Sequence, residues 1–577
     1  MKIGIISFHN AQIENAPLQL TLLDEYLKQQ GHDVELINFR LKALETRKAK
    51  AVLDEIYSEK VVDYEFTFTE EFTDYSELYA AQLQYDAFIV YGNQLWNPVF
   101  TKAVRSAYFL DFGNRDALRI AYAVGTDRIP EYNKLQIQKY LREFDAISVC
   151  NETSYHELKA LTTKDVELMD VELNDARTSL SLDAKEFLTH ALNKAEKTYP
   201  KTYLETKDMF SCYGCGACKD VCLAKAITME EDEEGFIYPV IDEARCQHCD
   251  KCKTVCVANH VESKKHENEN YPVVYAAYNK AEAIQKASSC GGMFTPMYQS
   301  VLEKGGKVVG ARYDENWNVI YDIAHTEAEC ECFRGAKYIF ADSRDVKPRV
   351  KELLEQGTCV LFTGTACQIA ALKTYLGKEY KQLYTVEIMC SGGGSPKVFR
   401  KYCEHLEQIY KSKLVDFQFR NKFKHTGTPF VFVEFETGVC DVEVAKRNNL
   451  SKAFTSGTAM RPSCYTCEYV GAKQGVADIT IGNYMGIKDI YPEFAHPKGV
   501  SILKINTPKG LDLFETIREE VVLLESNCED AYKNNQKKPK TLKANRARLM
   551  ANIDKYPIDD LLLTFNPEKE GGIEELS

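Results

Sequence analysis

Twenty cysteines stand among the 577 residues of this chain, and eight of them fall between positions 212 and 256. They form two runs of one spacing, Cys212-x2-Cys215-x2-Cys218-x3-Cys222 and Cys246-x2-Cys249-x2-Cys252-x3-Cys256. Three thiolates on one tight loop can cap three irons of a cubane [4Fe–4S] cluster, and in a doubled motif the fourth cysteine crosses to the other cluster. By that rule Cys212, Cys215, Cys218 and Cys256 hold one cluster, and Cys246, Cys249, Cys252 and Cys222 hold a second. Zinc is the competing reading, but its sites pair separated CxxC units rather than crowd four cysteines into so short a run. Gly214 and Gly216 relieve crowding where backbone amides approach sulfur, and the acidic run 230–234 reads as the solvated face of a hairpin between the motifs.

Further chemistry-bearing residues follow. Ser288-Ser-Cys-Gly-Gly-Met-Phe precedes an amphipathic helix over 294–303. Two glycines at a helix start expose N–H groups suited to phosphate or pyrophosphate, although a plain helix cap would look the same. Residues 360–372 read as a buried strand, a tight turn and a helix, the place where open α/β sheets put ligands. Cys367 stands at that helix start, where the dipole favours a thiolate. Cys390 follows an apolar strand at 384–389, and Cys464 and Cys467 form a CxxC pair. Taken singly, such a pair suits zinc, redox chemistry or neither, and a cysteine at a strand end is commonly a buried hydrophobe.

The elements that must position these residues are α/β. Short β-rich runs at 2–6, 34–37, 87–91, 119–124, 146–149 and 166–169 alternate with helical patterns, one over 18–29 with Gly31 as its cap and another over 183–194. That alternation points to a doubly wound parallel sheet. The cysteine-rich stretch 208–258 is too small for a large core, so metal must hold it together. Residues 259–270 read as a polar linker, and a second α/β region begins near 272 with strands at 308–311, 359–362 and 479–481. Basic residues gather at Lys537, Lys538, Lys540, Lys543, Arg546 and Arg548.

Composition sets the outer bounds. At 45% hydrophobic and 27% charged the chain matches an ordinary globular protein, and its length suggests three or four folded units. No apolar run approaches a membrane span, and the N-terminus lacks the pattern of a signal peptide. A cytoplasmic, reducing setting is therefore expected, where clustered cysteines bind metal rather than form disulfides. The formal charge of −13 argues against nucleic acid as a partner.

Residues 208–258 resemble the bacterial two-cluster ferredoxins, with Leu223 and Val257 where a proline usually follows the fourth cysteine. Beyond them, Ser288-Ser-x-Gly-Gly-x-Phe, Gly305-Gly-x-Val-Val-Gly-Ala, Arg334-Gly-x-Lys-Tyr, Gly364-Thr-x-Cys-Gln, Cys390, Arg461-Pro-Ser-Cys-x-x-Cys and Asp478-Ile-Thr-Ile-Gly occur in one order. Together they resemble the coenzyme F420 hydrogenase/dehydrogenase beta-subunit family. The resemblance implies FAD, a further [4Fe–4S] cluster and two-electron redox chemistry. Carried onto this chain, it makes Cys367, Cys390, Cys464 and Cys467 candidate ligands of a third cluster. Ser289, Gly291, Gly292, Gly364, Thr365 and Gln368 become candidates for the flavin surroundings, and Lys337 a catalytic candidate whose charge stabilises a reduced anion; a surface salt bridge is the plainer reading of that lysine. Ala366, Cys390-Ser and Gly482-Asn-Tyr-Met-Gly depart from the family pattern, the second removing a histidine able to handle protons.

The first 175 residues resemble part of the polysaccharide pyruvyl transferases, through Tyr85-Asp-Ala-Phe-Ile-Val-Tyr-Gly-Asn-Gln-Leu-Trp-Asn, Arg119-Ile-Ala-Tyr-Ala and Phe144-Asp-Ala-Ile-Ser-Val. Only one of that family's two Rossmann-like halves is present, and Asn93 and Cys150-Asn-Glu152 stand where a carboxylate and a phosphate-binding arginine belong. The expected organisation is a degenerate Rossmann-like half-domain over 1–200, a ferredoxin domain over 205–260, an α/β flavin and iron–sulfur domain over 271–550 and a tail over 551–577. The expected function is an iron–sulfur flavoprotein oxidoreductase, served by a redox partner or soluble donor and acting on a small-molecule, glycan-related or deazaflavin-like substrate. The alternatives are a non-catalytic electron-transfer subunit and a pyruvyl transferase.

Overall fold

The computed structural model describes residues 1–7, 16–39, 61–62, 64–101, 105–114, 117–169, 179–193, 202–260, 271–422, 428–470, 475–535, 539, 542 and 544–564. Nearly all of the expected linker, and Lys537, Lys538, Lys540 and Lys543 of the basic group, lie outside them. The chain divides into two compact units, Met1–Pro200 and Lys201–Ser577.

In the first unit, strands β1 (Lys2–Ile6), β2 (Asp33–Leu36), β3 (Ala87–Tyr91), β4 (Leu118–Val124), β5 (Ala146–Val149) and β6 (Val166–Leu168) form one sheet in the order β2-β1-β3-β4-β5-β6. Every pairing is parallel. The strands are nearly all apolar because both faces are covered. One face packs Phe88, Val90, Ala121 and Ile147 with Ile137 and Leu158 of helices Glu131–Leu141 and Glu152–Lys159. The other packs Ile3, Ile5, Ile89 and Ile120 with Leu20 and Leu23 of Leu18–Gln29 and Phe187 and Leu188 of Leu182–Leu192. Helices on both faces make the sheet doubly wound, as the alternating pattern predicts.

The second unit opens with a hairpin, β7 (Ile227–Glu231) and β8 (Ile237–Ile241), set between short helices α1 (Ala217–Val221) and α2 (Lys251–Thr254) that carry the two cysteine motifs. Beyond residue 271 a mixed sheet of nine strands forms the centre. Its middle comprises β10 (Lys307–Tyr313), β13 (Val360–Gly364), β14 (Leu383–Ile388) and β18 (Ile479–Asn483), paired in parallel. Antiparallel strands flank them, among them β9 (Val273–Asn279), β11 (Val319–Ala324) and β19 (Ser501–Ile505). Helix α3 (Phe294–Glu303) packs Met297 and Val301 on one face. Helix α4 (Ala366–Leu376) packs Ile369 and Leu372 on the other.

Tyr213, Cys215, Ala217, Val255 and Val257 of the cysteine-rich segment belong to the same core as α4. The segment therefore borrows apolar burial from the large sheet, whereas its size alone had pointed to metal as its only support. The acidic run is a solvated face only in part, with Glu230, Glu231 and Glu233 exposed. Glu234 takes a bidentate ion pair from Arg546, which is fully buried, Glu231 accepts from Arg400 at 2.6 Å, and the Glu233 carbonyl accepts from Lys397. The expected tail also starts as structure: helix Ile558–Thr564 buries Ile558, Leu561 and Leu562 against the core that contains Val398, Phe417 and Leu549.

Candidate redox site

In the first motif Cys212 and Cys215 are buried and Cys218 half-buried; the thiols of Cys215, Cys218 and Cys256 are raised by burial, Cys218 also by Cys215, Cys212 and Cys256, and Cys256 also by Cys215 and Cys212. Burial pushes Cys215 up to about 11 and Cys256 up to about 12. The fourth cysteine of the second motif is thus close enough to the first three of the first to interact with them electrostatically. Cys252 senses Cys246 and Cys249 in the same way, and Cys249 is exposed. One motif is therefore inside the unit and the other at its surface.

Backbone amides are aimed at these sulfurs. The amide two residues ahead donates to Cys212 (Gly214, 3.4 Å), Cys246 (His248, 3.5 Å) and Cys390 (Gly392, 3.2 Å). Ala217, Ala258 and Tyr469 do the same for Cys215, Cys256 and Cys467. Ala226 donates to Cys222 at 3.3 Å and Gly393 to Cys464 at 3.4 Å. Gly214 has φ +62° and Gly392 φ +121°. A Cβ at Gly214 would lie 2.6 Å from the Phe340 ring, and one at Gly392 2.8 Å from Met460 Sδ. Bonds of this kind stabilise thiolates and tune the clusters they ligate, so these loops fit a metal cluster rather than inert thiols.

The four later cysteines converge. Cys367 opens α4 directly after β13, Cys390 follows β14, and Cys464 and Cys467 lie in and just after the 3-10 turn Pro462–Thr466. All four line one cavity of about 400 Å3. Each thiol is pushed up, by burial first, and Cys367, Cys390 and Cys467 also by the other thiols. A cationic group held among them would let such a buried set ionise together.

Ser289, Gly292, Gly364, Thr365 and Gln368 line the same cavity. Ser289 Oγ accepts the Ala336 amide at 2.7 Å, and Thr365 Oγ1 lies 3.3 Å from Cys367 Sγ. Gly291 does not line it; its amide donates to Ser501 Oγ, and a Cβ there would meet the Ala277 carbonyl at 2.6 Å. That glycine serves strand packing. Lys337 does line the cavity and makes no salt bridge among the described residues: its ammonium donates to the Arg334 carbonyl at 2.9 Å and lies 5.4 Å from the Tyr313 ring centroid. Burial pulls it down to about 8, against the opposing Cys332 and Asp416 charges.

Motif reading missed two further cations. Arg420 lines the cavity with its Nε buried and without a hydrogen-bond partner among the described residues. Lys422 donates to the carbonyls of Gln285 and Cys290, and burial lowers it to about 8. Both sit near the end of an alternating strand, Leu414–Asn421, where nothing but a fold can show which way they face. Cys290 lines the cavity too, its thiol donating to Asn483 Oδ1 and the Val500 carbonyl.

In the first unit, Cys150 and Asn93 meet at the carboxyl ends of their strands, 3.4 Å apart. Asn151 caps helix Glu152–Lys159 by accepting the Ser154 amide, and Glu152 points outward beside His156. The residues that depart from the transferase pattern are thus occupied locally, one of them as a helix cap.

These features define an iron–sulfur electron-transfer protein. Residues 274–346 and 357–531 match the N-terminal and C-terminal regions of the coenzyme F420 hydrogenase/dehydrogenase beta subunit, 211–260 match the 4Fe-4S dicluster domain and 18–172 match polysaccharide pyruvyl transferase. The chain therefore joins a pyruvyl transferase-type segment to a dicluster segment and a beta-subunit module, and is related to that beta-subunit family. No curated protein matches it. Among solved structures, a chain of the F420-reducing [NiFe] hydrogenase complex from Methanosarcina barkeri is 20% identical over 52% of this chain and 93% of its own, with a TM-score of 0.31. No helix among the described residues is long and apolar enough to cross a membrane.

Proposed function

We propose that the protein is an oxidoreductase in which electrons exchanged at the ferredoxin-type segment serve a flavin held in the cavity, where an organic substrate is reduced or oxidised. The observation that carries this reading is the convergence of two independent motif sets on one cavity: the cysteines 367, 390, 464 and 467, and the residues Ser289, Gly292, Gly364, Thr365 and Gln368. Tyr213, from the cysteine-rich segment, lines it as well. Iron–sulfur clusters supply one-electron carriers, and FAD would supply the coupling of one- to two-electron chemistry.

The chain's own residues would do the rest. Cys212, Cys215, Cys218 and Cys256 hold the inner ferredoxin cluster, Cys222, Cys246, Cys249 and Cys252 the outer one, and Cys367, Cys390, Cys464 and Cys467 a third. Lys337, Arg420 and Lys422 provide positive charge for an anionic group in or beside the cavity. Lys337, lowered to about 8, can hold or release a proton near neutral pH, which answers the loss of the family's histidine after Cys390. The first unit is read as a degenerate module for docking or glycan recognition.

Anaerobic purification with joint iron, sulfide and flavin quantitation tests this. About twelve irons and one flavin per chain support three cubanes and FAD. About eight irons without flavin leave a ferredoxin-like carrier and refute the flavoenzyme.

A further inference from the structure

Arg461 is almost fully buried, and it ties three cysteine segments together. Its Nε donates to the Cys212 carbonyl at 2.8 Å and its Nη2 to the Ile237 carbonyl at 3.0 Å. Its backbone amide donates to Gly393, in the Cys390 loop, and its carbonyl accepts the amide of Cys464. The guanidinium lies among the rings of Tyr238, Phe340 and Phe236, at 4.3, 4.8 and 5.5 Å from their centroids. A Cβ on Gly214 would come within 2.8 Å of Nη1, so this atom lies against the Cys212–Cys215 loop. Nη1 is buried and has no hydrogen-bond partner among the described residues.

An arginine is charged at every working pH, and an unpaired buried charge is costly unless something anionic faces it. No carboxylate forms an ion pair with Arg461 among the described residues, and Asp232, which senses its charge, is raised to about 6 by burial. The other buried cation of the inner motif differs in this respect. Lys347 donates to the Cys215 carbonyl at 2.7 Å but is paired with Asp220 at 2.9 Å. Around the outer motif the cations lie at the surface, where Arg245 pairs with Asp242, Lys253 pairs with Asp250 and Glu205, and Lys251 is exposed. Water and salt screen such pairs strongly.

We propose that Arg461 is a potential-setting residue shared by two clusters, its free Nη1 facing the inner ferredoxin cluster and its charge reaching the Cys464 side of the cavity. The inference rests on the three-cluster reading above. A cubane cluster gains negative charge on reduction, and a fixed positive charge in a low-dielectric surrounding stabilises the reduced form. The inner and cavity clusters are therefore easier to reduce than the outer one, which sets a downhill order from the surface to the cavity.

The test is a potentiometric titration followed by EPR on anaerobically purified full-length protein, with iron counted first. Arg461→Gln should lower two midpoints by at least tenfold in the reduction equilibrium, about 59 mV for a one-electron couple, and leave the third in place. Arg461→Lys, which keeps the charge, should stay near the wild-type values. Three unmoved midpoints, three equal shifts, or a lysine variant that falls as far as the glutamine one would overturn the proposal. A wild-type count near eight irons refutes the third cluster instead, and Arg461 is then judged on the Cys212 signal alone. If Arg461→Gln yields no folded protein, Cys249→Ala decides: loss of the lowest-potential signal supports the proposed order, and loss of a higher one overturns it.

Discussion

Tyr213 and Tyr469 meet edge to face, with 5.4 Å between ring centroids and planes at 88°. Tyr213 senses the thiols of Cys467 and Cys367, and Tyr469 senses Cys215 and Cys256 as well as Cys367 and Cys467. Tyr469 also donates to the Val257 carbonyl, holding the C-terminal end of the ferredoxin-type segment onto the pair. Two buried aromatic rings thus form the partition between the inner ferredoxin cysteines and the cysteines of the cavity.

Removing that partition should loosen both sides. Tyr213→Ala is expected to cost about 3–5 kcal/mol, the usual range for deleting a buried aromatic side chain. The denaturation midpoint of the metal-loaded protein should fall, and an iron-specific chelator should extract iron faster. Unchanged stability would mean that the neighbouring side chains close the gap.

Cys464→Ser should remove one cluster and spare two. EPR of the reduced protein should lose a single signal and iron should drop by about four per chain. A spectrum identical to the wild type would show that Cys464 ligates nothing.

The positive charge of the cavity should titrate. Lys337 is lowered to about 8 by burial, so it is charged below that pH and neutral above it. FAD affinity, measured by fluorescence, should fall as the pH rises from 7 to 9. Lys337→Gln should weaken binding at pH 7 by about tenfold or more, from the 1.5–3 kcal/mol typical of a hydrogen bond to a charged group. It should also flatten the pH profile, leaving only what Lys422 contributes, since burial lowers that lysine to about 8 as well. A profile equally steep in the variant would acquit Lys337.

The clamp between the hairpin and the C-terminal helices should dominate the stability of the second unit. Arg546 is fully buried and Glu234 largely so. Removing one partner strands a buried charge, at a cost of about 3–5 kcal/mol. Arg546→Met should therefore lower the thermal midpoint more than Arg400→Met, because Arg400 pairs with the more exposed Glu231. Equal effects would reduce the clamp to an ordinary surface pair.

Much of this architecture was legible because it rests on local patterns. The doubled cysteine spacing is a short-range signal, and so is the strand-turn-helix run that puts Cys367 at the start of α4. The expected strands at 87–91 and 146–149 coincide with those observed, since fully buried parallel strands are continuous apolar runs. What escaped depends on contacts across long stretches of chain. Glu234 read as solvated because its partner lies 312 positions away. Gly291 read as a ligand contact because a glycine that makes room for a neighbouring strand has the same spelling as one that makes room for a phosphate. Arg461 carried no message beyond its place in a motif, since only the fold shows that its side chain turns back to the Cys212 carbonyl.

The Glu234–Arg546 bond also bears on how the protein is made. A ribosome delivers the cysteine-rich segment first and the arginine that anchors its hairpin some three hundred residues later. At the synthesis rates typical of cells, about 5–20 residues per second, that interval lasts tens of seconds. Throughout it the hairpin lacks its clamp. The last helices then close over the hairpin, so that this contact is among the latest that the second unit can make.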